Sequence, residues 1–154
     1  MTLYTSVIKA NKRNARRTAL IYLLTSIFCA VFGVIYEIFS HGVYSAFMLF
    51  AFAFPLVGGA LPFFLLYLAE RSRAKTERRR PYSGLYPAIP ARSFYHCGII
   101  TLTLGSIMNG ILDIYGTTNR LLVIYWFLGA VLLLTAISIH LLSLLLGKRC
   151  RLYR

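Results

Sequence analysis

Acidic side chains are scarce: four Asp and Glu stand against seventeen Lys and Arg, a formal charge of +13. Charge of either sign is also scarce, at 14% of residues, where a soluble domain carries about 25%. With 58% hydrophobic residues, a water-soluble fold of this length would lack the polar surface to cover itself. Cysteine is limited to Cys29, Cys97 and Cys150, far apart in the chain, which gives no sign of a disulfide framework. With no CxxC pair and no Cys/His cluster of ligand spacing, a structural zinc site is disfavoured. Also missing are a nucleophile elbow, an HExxH motif, a Gly-rich phosphate loop and a Walker lysine, so the chain does not read as an enzyme.

What is present is hydrophobic length. Mean hydropathy is +0.69, and four long apolar runs extend from about Thr18 to Phe39, Tyr44 to Ala69, Phe94 to Ile114 and Leu121 to Leu146. Runs of ~20 residues or more at 1.5 Å per residue cross ~30 Å of hydrocarbon as helices. They are apolar all round and lack the ten-residue alternation of a barrel strand. The first run is also too long for a cleavable signal peptide and has no small-residue cleavage site close after it. The fold class expected is an all-α membrane protein, one domain over 1–154, with four transmembrane helices arranged as two hairpins.

The cations lie between these runs. Five precede the first, seven lie between the second and third (Arg71, Arg73, Lys75, Arg78, Arg79, Arg80 and Arg92), and four follow the fourth. Only Arg120 falls on the opposite side. The positive-inside rule therefore places both termini and the 70–92 loop in the cytoplasm. That placement makes the charge a topology signal first and a nucleic-acid surface only as a remote second. Within the loop, Glu70 to Arg80 extends the second helix, and Pro81, Pro87 and Pro90 prevent its continuation. Tyr82 and Tyr86 suit the headgroup layer, and the basic run suits anionic membrane lipid as a partner.

Sliding the chain on itself by 76 residues lays Ile35–Phe39 over Ile111–Tyr115. Inward at steps of four, Thr25, Cys29, Gly33 and Glu37 fall on Thr101, Gly105, Asn109 and Asp113. A duplication would make the hairpins parallel repeats about an axis along the membrane normal. Both stripes are small or polar in otherwise apolar helices, the character of close helix packing in lipid.

Glu37 and Asp113 are the only acids inside the spans, at equivalent depth near the outer ends of the first and third helices. Intramembrane carboxylates suggest a site by default. A ligand or cation site would pair them, with His41 and Asn109 as neutral partners, although this set specifies no particular metal. The competing reading makes both acids solvated helix ends. His41 shares the face of Glu37 only if the first helix continues past it, and Gly42 argues against that. In the second span, Pro55, Gly58, Gly59 and Pro62 predict a kink or an unwound stretch, which either packs tightly against a neighbour or builds a substrate site. No cofactor is indicated: His96 and His140, at similar depth on consecutive spans, are the one pair able to hold a b-type haem iron, without any supporting motif.

The size is that of the small multidrug resistance carriers, but those place their key glutamate well inside the first helix, whereas Glu37 lies near its end. Tetraspanins and claudins need large cysteine-bearing outer loops, which this chain lacks. Two functional expectations result. One is a non-catalytic subunit or accessory protein of a membrane assembly, as a homo- or hetero-oligomer; the other is a small carrier or ligand-binding protein with an outward-facing acidic site. Compactness without glycosylated loops suits the inner (plasma) membrane of a bacterium.

Overall fold

The computed structural model describes the backbone of residues 2–75 and 89–152, and side chains over 13–69, 71–72 and 89–145. Most of the basic and Pro-rich loop, with Tyr82 and Tyr86, and the Cys150 side chain lie outside the described residues. Those described are helical: α1 (Thr2–Phe39), α2 (Ala46–Leu49), a π-helical segment (Phe54–Ala60), α3 (Leu61–Lys75), α4 (Ile89–Ile114), a 3₁₀ turn (Arg120–Leu122) and α5 (Val123–Leu152). Four stretches are long and apolar enough to cross a membrane: Arg13–Phe39, Ala46–Ala69, Ile89–Ile114 and Arg120–Leu145. The third is helical from Ile89, the first described residue after the loop, ahead of the expected Phe94.

The buried residues of α1 recur as Ala15, Ala19, Tyr22, Ser26, Cys29, Gly33 and Glu37. Steps alternating between three and four keep one seam facing its neighbours, as in a left-handed helix crossing. α4 carries two such seams. Ala91, Gly98 and Gly105 recur every seventh residue, while Ile99, Thr103, Ser106 and Gly110 lie on another side. The first seam meets α5. A Cβ on Gly98 would stand 3.3 Å from the Gly129 carbonyl and 2.9 Å from the Leu133 side chain, and one on Gly105 would stand 2.7 Å from Tyr125 Cβ. The second seam meets the second span: Ser106 Oγ donates to the Phe47 carbonyl at 2.7 Å, and a Cβ on Gly110 would stand 2.8 Å from the Met48 backbone nitrogen.

Consecutive spans are therefore neighbours. α1 packs on the second span, the second span on α4, and α4 on α5. α5 reaches the second span by its Trp126 ring, whose centroid lies 6.3 Å from Phe47 and 5.6 Å from Phe54. It stands outside the other three spans, so the arrangement is not the closed bundle that four helices suggest. The exposed faces carry large apolar residues such as Phe28, Phe127 and Leu134, as expected where the solvent is lipid.

The second span is broken, and its chemistry explains where. Pro62 lacks the N–H that an α-helix would direct to the Gly58 carbonyl. Tyr95 on α4 supplies the missing donor, its hydroxyl bonding that carbonyl at 2.5 Å. Further along, helical structure lapses between Leu49 and Ala53, where Ser26 Oγ of α1 donates to the Phe52 carbonyl at 3.0 Å. Free backbone carbonyls in hydrocarbon cost several kcal/mol; the Phe52 carbonyl also accepts the Leu56 N–H at 3.1 Å, so Ser26 adds a second bond that ties α1 to the lapse. The second span is thus interrupted whereas α5, its counterpart under a 76-residue offset, is continuous.

Candidate functional site

At the end of the molecule away from the arginines of α1 and α4, α1 terminates after Phe39. His41 adopts φ 55° and Gly42 φ 90° in the turn that follows. His41 is exposed, with Nδ1 2.9 Å from the Phe39 carbonyl, and so leaves the helical face of Glu37. α4 ends similarly. Gly116 takes φ 69°, Thr117 N–H bonds the Leu112 carbonyl at 2.9 Å and Gly116 N–H the Asp113 carbonyl at 3.1 Å, a glycine cap of the Schellman kind.

Glu37 is 9% exposed and turns into the bundle, whereas Asp113 is exposed. Of the two acids expected to share a site, Glu37 is enclosed and Asp113 is not. Gly110 faces the second span, and Asp113, three residues on, lies ~60° around the helix from it, at the exposed edge of that contact. Asn109 spends its amide on its own helix, donating to the Gly105 carbonyl at 2.9 Å. What α1 and α4 share at this end is aromatic: Tyr36 and Tyr115 line one cleft. An open cleft of about 340 Å³ lies there, lined by Tyr36, Phe39, Ser40, Ile114 and Tyr115.

Glu37 Oε1 is buried without a hydrogen-bond partner, and so is Ser45 Oγ. A Cβ on Gly33 would lie 3.1 Å from the Met48 carbonyl. Because the two segments run in opposite directions, that register puts Glu37, one turn beyond Gly33, level with Ser45 just before α2. Each orphaned buried group costs about 1–3 kcal/mol. A carboxyl oxygen and a hydroxyl at one level could accept a small cation, a proton donor or water. Ser45 carries no signal in the sequence, since nothing marks it until the turn after α1 brings it to the level of Glu37.

Cys29, Gly33 and Gly105 are buried at contacts, and Pro55 is enclosed. Gly59 admits the Tyr22 ring, which stands where a Cβ would be, and Gly58 admits Ile99. Thr25 is exposed and bonds the Ile21 carbonyl of its own helix at 2.9 Å; Thr101 does the same with Cys97 at 2.8 Å. Strict steps of four drift by 40° each, so such a stripe leaves the interface that steps of three and four keep. Reading α4 at intervals of seven would have found Gly98.

At the arginine-bearing end, His96 Nδ1 lies 2.6 Å from the Tyr22 hydroxyl, and its ring stacks on Phe63 with centroids 5.3 Å apart. Tyr22 stacks on Phe63 too, at 6.1 Å, and Tyr95 meets Phe63 edge-on. His96 therefore faces α1 and α3. Gly98, rotated by ~200° from it, is the residue that faces α5. His140 is on α5, its Nδ1 buried and unpartnered, so the two imidazoles do not face one another across a haem site. Among the described residues no three of His, Cys, Asp and Glu gather as metal ligands. Searches against protein-family models, curated proteins and solved structures returned no match.

Proposed function

We propose that this chain is a non-catalytic subunit of a membrane assembly, multi-pass in a bacterial inner membrane, with its termini and its 70–92 loop cytoplasmic. The observation that carries the reading is the isolation of α5. Only 11% of its apolar window is buried, against 28–33% for the other three spans. Helices in lipid associate by close packing, and α5 keeps one whole face for a neighbour. The partition of sixteen cations to one side supports the orientation. The burial of Glu37 beside an exposed Asp113 favours this reading over a two-carboxylate carrier.

Cross-linking in native membranes tests this. A single cysteine replacing Leu134, exposed on α5, is expected to give a product heavier than the 17.4 kDa chain. One replacing Phe28, exposed on α1, is expected to give none. A doubled mass identifies a homo-oligomer and any other mass a partner subunit. No product from Leu134→Cys, or equal products from both sites, refutes the reading.

A second reading has its own observation. The orphaned Glu37 and Ser45 beside an interrupted span support a small cation- or ligand-binding role at that end. Under it, Glu37→Gln abolishes uptake or binding in a bundle that still assembles, while Asp113→Asn does not.

A further inference from the structure

Between the first turns of the apolar parts of α1 and α4 lies an open cleft of about 330 Å³, lined among others by Asn14, Arg17, Thr18, Arg92, Ser93 and His96. The volume falls within the ~300–1,000 Å³ of small-ligand pockets. Among the described residues that line it are two arginines, Arg17 and Arg92. Planar guanidinium forks match the oxygens of a phosphate two at a time, which a point charge cannot do. Asn14 and Thr18 add neutral donors. Ser93 spends its proton on the Ile89 carbonyl at 3.2 Å and offers only lone pairs.

His96 completes the set. Its Nδ1 is occupied by the Tyr22 hydroxyl at 2.6 Å. Tyr22 is buried among Phe63, Gly59 and His96, so the imidazole nitrogen is the acceptor its hydroxyl has at hand. With the phenol donating, the neutral ring carries its proton on Nε2 and presents a further donor. The Tyr22 packing that fills the glycine notch of the second span thereby also holds the ring of a residue in the cleft.

Depth narrows the ligand. Arg17 and Arg92 stand at the ends of the Arg13–Phe39 and Ile89–Ile114 spans, the level at which lipid phosphates lie. We infer that this cleft is a binding site for a phosphate group, gripped between Arg17 of α1 and Arg92 of α4. The chemistry is shared by the headgroup of an anionic phospholipid and by a free phosphate. The site stands whether or not the chain is an assembly subunit.

Arg16 supplies the control. It is the neighbour of Arg17, equally cationic and exposed, yet it does not line the cleft. General attraction to anionic membranes would treat the two alike. The purified full chain is incubated in micelles containing equal parts phosphatidylglycerol and phosphatidylcholine, and retained lipid is read by native mass spectrometry. In parallel, inorganic phosphate is titrated and followed by phosphorus NMR line width.

Arg17→Gln and Arg92→Gln are each expected to weaken binding at least about tenfold, the scale of a lost charge-assisted hydrogen bond. Arg16→Gln is expected to stay within about twofold, the scale of a screened surface charge. Helical content and melting are checked for each variant. If Arg92→Gln unfolds, Arg92→Lys keeps the charge and is still expected to bind severalfold more weakly, because it loses the fork. Arginine-dependent retention of phosphatidylglycerol that inorganic phosphate does not compete away identifies a lipid headgroup. Arginine-dependent phosphate binding without preference between the two lipids identifies a soluble phosphate. Equal effects of Arg16→Gln and Arg17→Gln, or binding in neither arm, overturn the proposal.

Discussion

Replacing Gly110 by alanine tests the packing argument most directly, because the atoms it would strike are backbone. The new Cβ would lie 2.8 Å from Met48 N, 2.8 Å from Met48 Cβ and 2.9 Å from Met48 Cα. Comfortable carbon contacts begin near ~3.5 Å, so α2 has to withdraw by roughly 0.7 Å. Overpacking of this kind costs about 1–3 kcal/mol. The withdrawal also stretches the Ser106–Phe47 hydrogen bond, now 2.7 Å, and interhelical bonds in membranes average about 0.6 kcal/mol. Against this, alanine gains about 1 kcal/mol over glycine in a helix interior. A net loss of roughly 0.6–2.6 kcal/mol is expected.

Trp126 makes the assay simple, since it is the single tryptophan of the chain and sits on Phe47 and Phe54 beside the perturbed contact. Unfolding in mixed micelles with increasing dodecyl sulfate, followed by its fluorescence, gives the free-energy difference. Gly58→Ala is the comparison. The nearest atom to its new Cβ is Ile99 Cδ1, the mobile tip of a side chain, so a smaller loss than that of Gly110→Ala is expected. Gly110→Ala as stable as the parent chain, or less affected than Gly58→Ala, would refute the claim that close backbone approach holds α2 to α4.

Tyr95→Phe removes the donor that Pro62 cannot supply and leaves the Gly58 carbonyl orphaned, so a loss of about 1–3 kcal/mol is expected in the same unfolding assay. A change below ~0.3 kcal/mol would mean that water or a backbone group serves that carbonyl. Cys29 is buried and Cys97 exposed. A membrane-permeant maleimide is therefore expected to modify Cys97 well before Cys29, and fast reaction of Cys29 would reveal an aqueous path into the seam of α1. Reporter fusions after Arg154 are expected to be active only in the cytoplasmic format, and those within 40–45 or 115–119 only in the external one; the reverse pattern would overturn the orientation.

Hydrophobic length alone determined that four helices here can cross a membrane, because a bilayer demands ~20 apolar residues whatever the neighbours are. The interruption of the second span was legible for the same kind of reason: Pro55, Gly58, Gly59 and Pro62 act on their own backbone. The angular position of a side chain is another matter. Thr25 and Ser26 are adjacent and similar, yet only Ser26 is buried, since a seam shifts by 100° with one residue. Glu37 and Asp113 match in depth but not in surroundings, and only the packing of α1 and α4 against the second span separates a buried carboxyl from an exposed one. The partnership of Tyr22 with His96, 74 residues apart, and the meeting of Arg17 with Arg92 in one cleft exist only once those helices are set side by side. A membrane requires each span to satisfy its own backbone locally, so the sequence reveals the spans. It leaves their facing sides to weak, shape-dependent contacts between helices, and those are decided by the tertiary structure alone.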